Sequence, residues 1–132
     1  MASTLSFRAA VTFVVIGMCW GLVMAASGDH STVAGHAHLN LLGWVSLFLF
    51  GVFYHLHPRL DASRMARTQV GIWMVAVTIL AIGVGLIPSG AAIAEPMAKI
   101  GSVIALADMI FFGYLVFRRD APRIAASAVP AE

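Results

Sequence analysis

The chain has 132 residues, 61% of them hydrophobic and only 11% charged, with a mean hydropathy of +0.93. Soluble domains are roughly 45–50% apolar, so the composition excludes that class and points to one small, all-α, integral membrane domain embedded in a lipid bilayer. A net charge of +2 and a pI of 9.2 do not indicate a nucleic-acid partner, because the basic residues sit at segment ends, where membrane topology accounts for them.

Four apolar stretches reach the roughly 20 residues needed to cross a hydrocarbon core. Helices are expected at about 7–26, 34–57, 68–87 and 97–117, forming a four-helix bundle over residues 1–120. The first resembles a signal peptide in its early Arg8 and its small residues Ala25 and Ala26. Its apolar run exceeds the roughly 7–15 residues of such a segment, however, and is read as a span. The connections carry turn and breaker residues: Ser27-Gly28-Asp29-His30-Ser31, then Pro58 and a basic loop to Arg67, then Pro88-Ser89-Gly90. Glu95-Pro96 opens the fourth span with proline near a helix start. The Ala-, Pro- and Ser-rich tail 121–132 is expected to be flexible.

With four spans, Arg8, Arg59, Arg64, Arg67, Arg118, Arg119 and Arg123 fall on one side, and only Lys99 falls near the other. Positive residues favour the cytoplasmic side. Both termini are therefore expected in the cytoplasm, and a bacterial inner membrane is the expected location. The lone Cys19 lies in an apolar run and is expected to be a small buried side chain; no intrachain disulfide is possible.

The chemistry-bearing stretch is Gly35-His36-Ala37-His38-Leu39-Asn40-Leu41-Leu42-Gly43-Trp44, at the outer end of the second span. Ionisable groups inside spans are costly and mark functional sites. Two residues apart on a helix means about 200° of rotation and about 3 Å of rise, so His36 and His38 point to opposite sides. Neutral imidazole ligates haem iron, copper or zinc. Each ring thus reads as a ligand, against the plainer alternative of a hydrogen bond to a neighbouring helix. Asn40 lies one turn beyond His36, placed to orient a ligand or to bond across a helix interface. His30, with Asp29 and His36, offers a surface copper or zinc site. His55 and His57 lie about 28 Å further along the helix and belong to the other interface. Asp108, midway along the fourth span, reads either as a proton-relay group or as a partner of Thr78 or Ser46. Lys99 is placed to meet a haem propionate, Glu95 or a lipid phosphate. Gly17-x-x-x-Gly21 permits close helix packing. Met18, Met24 and Met109 are soft candidate haem ligands, though methionine in an apolar chain is more often packing.

Residues Gly35 to Trp44, with the preceding Gly21-Leu22-Val23-Met24 and Ser27-Gly28-Asp29, resemble the small membrane proteins related to the catalytic subunit of haem–copper oxidases. The resemblance covers about residues 21–58. His36-Ala37-His38 is similar to that family's His-x-His motif, whose two histidines bind haems on either side of one helix; an alternative match is the helix bearing the single opposite ligand of the low-spin haem. The resemblance implies non-covalent haem b on His36 and His38, supported by Asn40 and Lys99, and a role in electron transport or in redox or gas sensing. Because His36 and His38 point to opposite sides of one helix in a thin bundle, a homo-oligomer with each haem bridged between two chains is expected, the alternative being an intra-chain haem with Met18 or Met24 as second ligand; the resemblance implies a trimer, because three sets of four helices would imitate the three arcs of that subunit. The chain departs from the family in having no adjacent histidine pair, so neither its copper site nor oxygen reduction is expected here. The competing expectation is a non-haem copper- or zinc-binding or assembly module using His30, His36 and His38.

Overall fold

The computed structural model describes residues 1–118, and the expectations for the tail 121–132, Arg119 and Arg123 fall outside the described residues. Its elements are α1 (Ala2–Ser27), α2 (Val33–His55), a short α3 (Pro58–Asp61), α4 (Arg64–Leu86) ending in a 3-10 turn (Ile87–Ser89), and α5 (Ala94–Phe117). Four of these segments are long and apolar enough to cross a membrane. Large apolar side chains such as Leu22, Leu49, Val103 and Phe117 are exposed on the outside, as expected where lipid is the solvent.

Three helix starts and one helix end differ from expectation by two residues or more: α5 begins at Ala94 rather than 97, and the other three differences each have a local reason. α1 begins at Ala2, because Asp61 caps it from a distance: its carboxylate accepts Ser3 N–H at 2.7 Å and the Ser3 hydroxyl at 2.8 Å. A carboxylate at a helix N-terminus satisfies an orphan amide and meets the positive end of the dipole. α4 begins at Arg64, because Ser63 Oγ accepts Ala66 N–H at 3.1 Å as an N-cap. α2 ends at His55, and His57 becomes the cap residue of α3, with Pro58 in its first turn.

The helices form two close pairs. In the α4–α5 pair, Gly101 lies directly against the backbone of Leu80, and Gly83 against that of Met97 and Ala98. In the α1–α2 pair, Gly43 and Gly51 of α2 receive the rings of Phe13 and Phe7 from α1. The pairs meet where Gly35 of α2 touches Gly85 of α4, with the Trp20 ring against both glycines. Small residues at these crossings let backbones approach, which is how helices associate in lipid. Between α2 and α5 the space is filled by rings: Phe50 stands 4.4 Å and Phe53 5.2 Å from Phe112.

A buried polar chain ties three helices together. Tyr54 OH donates to Gln69 Oε1 at 2.7 Å, and Gln69 Nε2 donates to Asp108 Oδ2 at 2.8 Å. All three residues are buried. Asp108 therefore pairs with Gln69 rather than with Thr78 or Ser46. Those two hydroxyls bond back to their own helices, at Met74 O and Leu41 O. Cys19 is exposed on the outer face of α1, not buried as expected, since α1 turns Gly17 and Gly21 toward α2 instead.

Candidate functional site at the histidine end of α2

From Leu39 to Ser46, immediately after His38, α2 is wound as a π-helix. Such segments are rare and recur at functional sites. The wider winding exposes main-chain carbonyls, and side chains take them. Trp73 Nε1 of α4 donates to Leu42 O at 2.9 Å, and Ser46 Oγ donates to Leu41 O at 3.2 Å; just ahead of the segment, Asn40 Nδ2 donates to His36 O at 2.9 Å. The indole of Trp73 is itself buried in the core, so this bond fixes the π segment to α4.

His36 and His38 occupy different surroundings, as their spacing requires. His36 lies against α1. A Cβ on Gly21 would stand 3.1 Å from its Cε1, and the Trp20 ring meets it edge-on at 6.4 Å. Asn40 Nδ2 is within 3.3 Å of its Nδ1 and 3.4 Å of its Nε2. Asn40 in turn sits on Gly17, where a Cβ would fall 2.5 Å from its Oδ1. Gly17-x-x-x-Gly21 is thus the groove that receives Asn40 and His36, a role that its spacing alone did not reveal.

His38 is held within its own helix: its Nδ1–H donates to Ala34 O at 2.7 Å. A carbonyl only accepts, so Nδ1 carries the proton and Nε2 keeps its lone pair. Ligating histidines are typically fixed by such a bond from their other ring nitrogen. Beyond His38, α2 keeps Leu41, Trp44, Val45, Phe48 and Leu49 exposed, and the last four line a shallow apolar trough of about 250 Å³.

The remaining expected ligands are dispersed. His30 lies in the connecting turn, where its Nδ1–H donates to Gly28 O at 3.1 Å. Gly28, at φ 70°, supplies the left-handed conformation that closes α1, and Trp20 Nε1 donates to Thr32 Oγ1 at 2.9 Å across the turn. Bonds from the Ser31 backbone and hydroxyl hold the Asp29 carboxyl below the usual carboxylate range. Lys99 bonds Glu95 at 2.8 Å on an exposed face and lines a separate recess with Ile87 and Gly90. Met18 and Met109 are exposed, and Met24 is buried.

Among the described residues, no three of His, Cys, Asp and Glu come together as a metal site. His30, His36 and His38 are therefore not gathered into a zinc or copper cage within one chain; zinc takes three or four protein ligands. Haem needs only one or two axial ligands, since the macrocycle supplies the rest. The free Nε2 of His38 fits that smaller requirement. Sequence reasoning missed Trp20, Trp73 and Gln69. Each is a polar-tipped side chain inside a span, the one signal available beforehand. No family model, no curated protein and no solved structure matches this chain.

Proposed function

We propose that this protein is a haem b-binding membrane protein of electron transfer or of redox or gas sensing. The observation that carries the reading is His38. Its Nδ1 proton is committed to Ala34 O, which leaves the Nε2 lone pair of a half-buried ring that lies one turn before the exposed apolar residues Leu41 and Trp44 in α2. His38 would be the axial ligand. His36 and Asn40, packed into the Gly17–Gly21 groove, would hold α2 in place against α1. Bound haem would supply reversible one-electron chemistry. The protein's part is to present one imidazole of fixed tautomer and to keep the surroundings apolar.

One outward histidine and a thin bundle support a homo-oligomer, in which a neighbouring chain covers the same apolar face. The oxidase resemblance favours three chains. The arginine-rich end would face the cytoplasm of a bacterial inner membrane, by the positive-inside rule. Nothing in the donor set supports oxygen reduction by this chain alone.

The test is a visible spectrum of protein purified from cells with ample haem supply. The expected result is a Soret band that His38→Gly removes and that added imidazole restores. A colourless wild-type preparation, or a spectrum unchanged in the variant, refutes the reading.

A further inference from the structure

The one carboxyl group deep inside a span is only half paired. Asp108 is 3% exposed, midway along α5, and its Oδ2 accepts Gln69 Nε2–H at 2.8 Å. Its Oδ1 has no hydrogen-bond partner among the described residues. The described charged residues of the four spanning helices, Arg8, Arg64, Arg67, Glu95, Lys99 and Arg118, are all exposed, as is His55. The His57 ring is engaged with Phe53 beyond the end of α2, and α1 brings only the uncharged Ser3 and Ser6 to the buried interior as polar groups. The groups that face Asp108 are therefore neutral: Gln69 from α4 and, through it, the Tyr54 hydroxyl of α2.

A carboxylate held at this depth by a single hydrogen bond from a neutral amide is costly, since no counter-charge offsets its desolvation. Protonation removes the charge, and the chain of three side chains has a second arrangement that accommodates it. The Gln69 amide offers an acceptor on one side and a donor on the other, and a half-turn exchanges them. With Asp108 ionised, Tyr54 donates to Gln69 Oε1 and Gln69 Nε2 donates to Asp108, as the structure has it. With Asp108 protonated, its O–H donates to Gln69 Oε1, and the amide N–H donates to Tyr54 Oη. Both bonds persist with their direction reversed, and an uncharged carbonyl oxygen is left over in place of a charge. A metal cation fits less well. Gln69 turns a donor toward Asp108 and has its oxygen engaged by Tyr54, so it adds no oxygen ligand.

We infer that Asp108 is a proton-binding site in the bundle interior, and that Gln69 passes its occupancy to Tyr54 by turning its amide. The proton is taken from bulk water and returned to it, and only the Asp108 O–H bond forms or breaks. Tyr54 is the last residue but one of α2, so the occupancy of a site midway through the bundle is read near the arginine-rich end. The inference is independent of haem and of the histidines at the far end.

Infrared spectroscopy of the full chain in lipid, over a pH series, tests it. Asp108 is the only one of the six Asp and Glu residues deep inside a span, so a protonated-carboxyl C=O band at neutral pH is its signature. The band should be present in the wild type, shift in deuterated water, disappear as pH rises, and be missing in Asp108→Asn. The chain has two tyrosines, and a Tyr114→Phe background leaves Tyr54 alone. There, ultraviolet resonance Raman should show an accepting Tyr54 hydroxyl while the band is present and a donating one once it is lost. Asp108→Asn should abolish that change. A wild type with no acid band at neutral pH, or a band unchanged in Asp108→Asn, overturns the proton site. A Tyr54 signal that does not follow the band overturns the amide turn. Loss of the band on adding sodium or potassium at constant pH would assign the site to a metal cation and overturn the proton assignment. Should Asp108→Asn fail to fold, Asp108→Glu replaces it, and the band should then move in frequency; a band that stays in place overturns the assignment to this residue.

Discussion

Gly101→Ala and Gly113→Ala make the same chemical change on the same helix and should have opposite consequences. At Gly101 an added Cβ would lie 2.6 Å from Leu80 N and 2.8 Å from its Cα, about 0.8 Å short of the 3.4 Å at which ordinary contact begins. The obstacle is backbone, so α4 and α5 must separate along their closest crossing. Overpacking of this kind costs about 1–3 kcal/mol. At Gly113 nothing lies within 4 Å of the new atom. There alanine simply gains up to about 1 kcal/mol of helix preference over glycine. That gain is common to both variants, so their difference isolates the clash at about 1–3 kcal/mol, or about five- to 150-fold in the unfolding equilibrium. Thermal or denaturant unfolding in one detergent, followed by far-ultraviolet circular dichroism, reads the difference. If the two variants unfold alike, tight backbone packing between α4 and α5 is not what holds this pair together.

Gln69→Leu strands both Tyr54 OH and Asp108, and should destabilise the bundle by about 1–3 kcal/mol. Adding Asp108→Leu should recover part of that loss, because removing both partners is cheaper than stranding one; no recovery would count against the buried chain. Asp61→Asn weakens the cap on Ser3 and should speed amide exchange in the first turn of α1 while leaving α4 and α5 unchanged. The Asp29 carboxyl is held low in the folded turn. Its stabilising effect is therefore fully present above the ordinary aspartate value of about 3.9 and is lost as pH falls through the lower folded value. Ser31 amide protection should follow that loss in the wild type and be insensitive to acid in Asp29→Asn. In a Cys19→Ala background, a cysteine at Ser31 should react with an impermeant reagent from outside the cell and one at Ala62 should not; the reverse pattern refutes the orientation.

The spans were legible because hydropathy and length determine them residue by residue. What escaped was everything set by long-range contact. Ser3, Ser6 and Arg8 make the first two turns of α1 look polar, and the cap that Asp61 places on Ser3 comes from far along the chain. The His36–Asn40 pairing followed from helical spacing. Its seat on Gly17 and Gly21 did not, since that depends on the register between α1 and α2. Asp108 was visible as a costly group in a span, but its partner Gln69 stands 39 residues away on another helix. The π winding after His38 left no mark in composition, because two of its carbonyls are taken by Trp73 and Ser46, residues equally at home in an ordinary helix.

The bond between Ser3 and Asp61 sets an order on biosynthesis. The first helix is made before the residue that completes its start, which lies 58 positions downstream. A ribosome must therefore deliver α2 and the turn beyond it before the opening turn of α1 acquires its cap. Until then that turn competes with water for its own amides. A nascent chain arrested inside α2 would have an unfinished beginning, and one arrested after α3 would have a closed α1–α2 hairpin. A purification tag attached ahead of Met1 would be tethered within a few residues of this latch, whereas the end of α5 lies on a different helix pair. Tag placement is thus a choice about the first step of assembly.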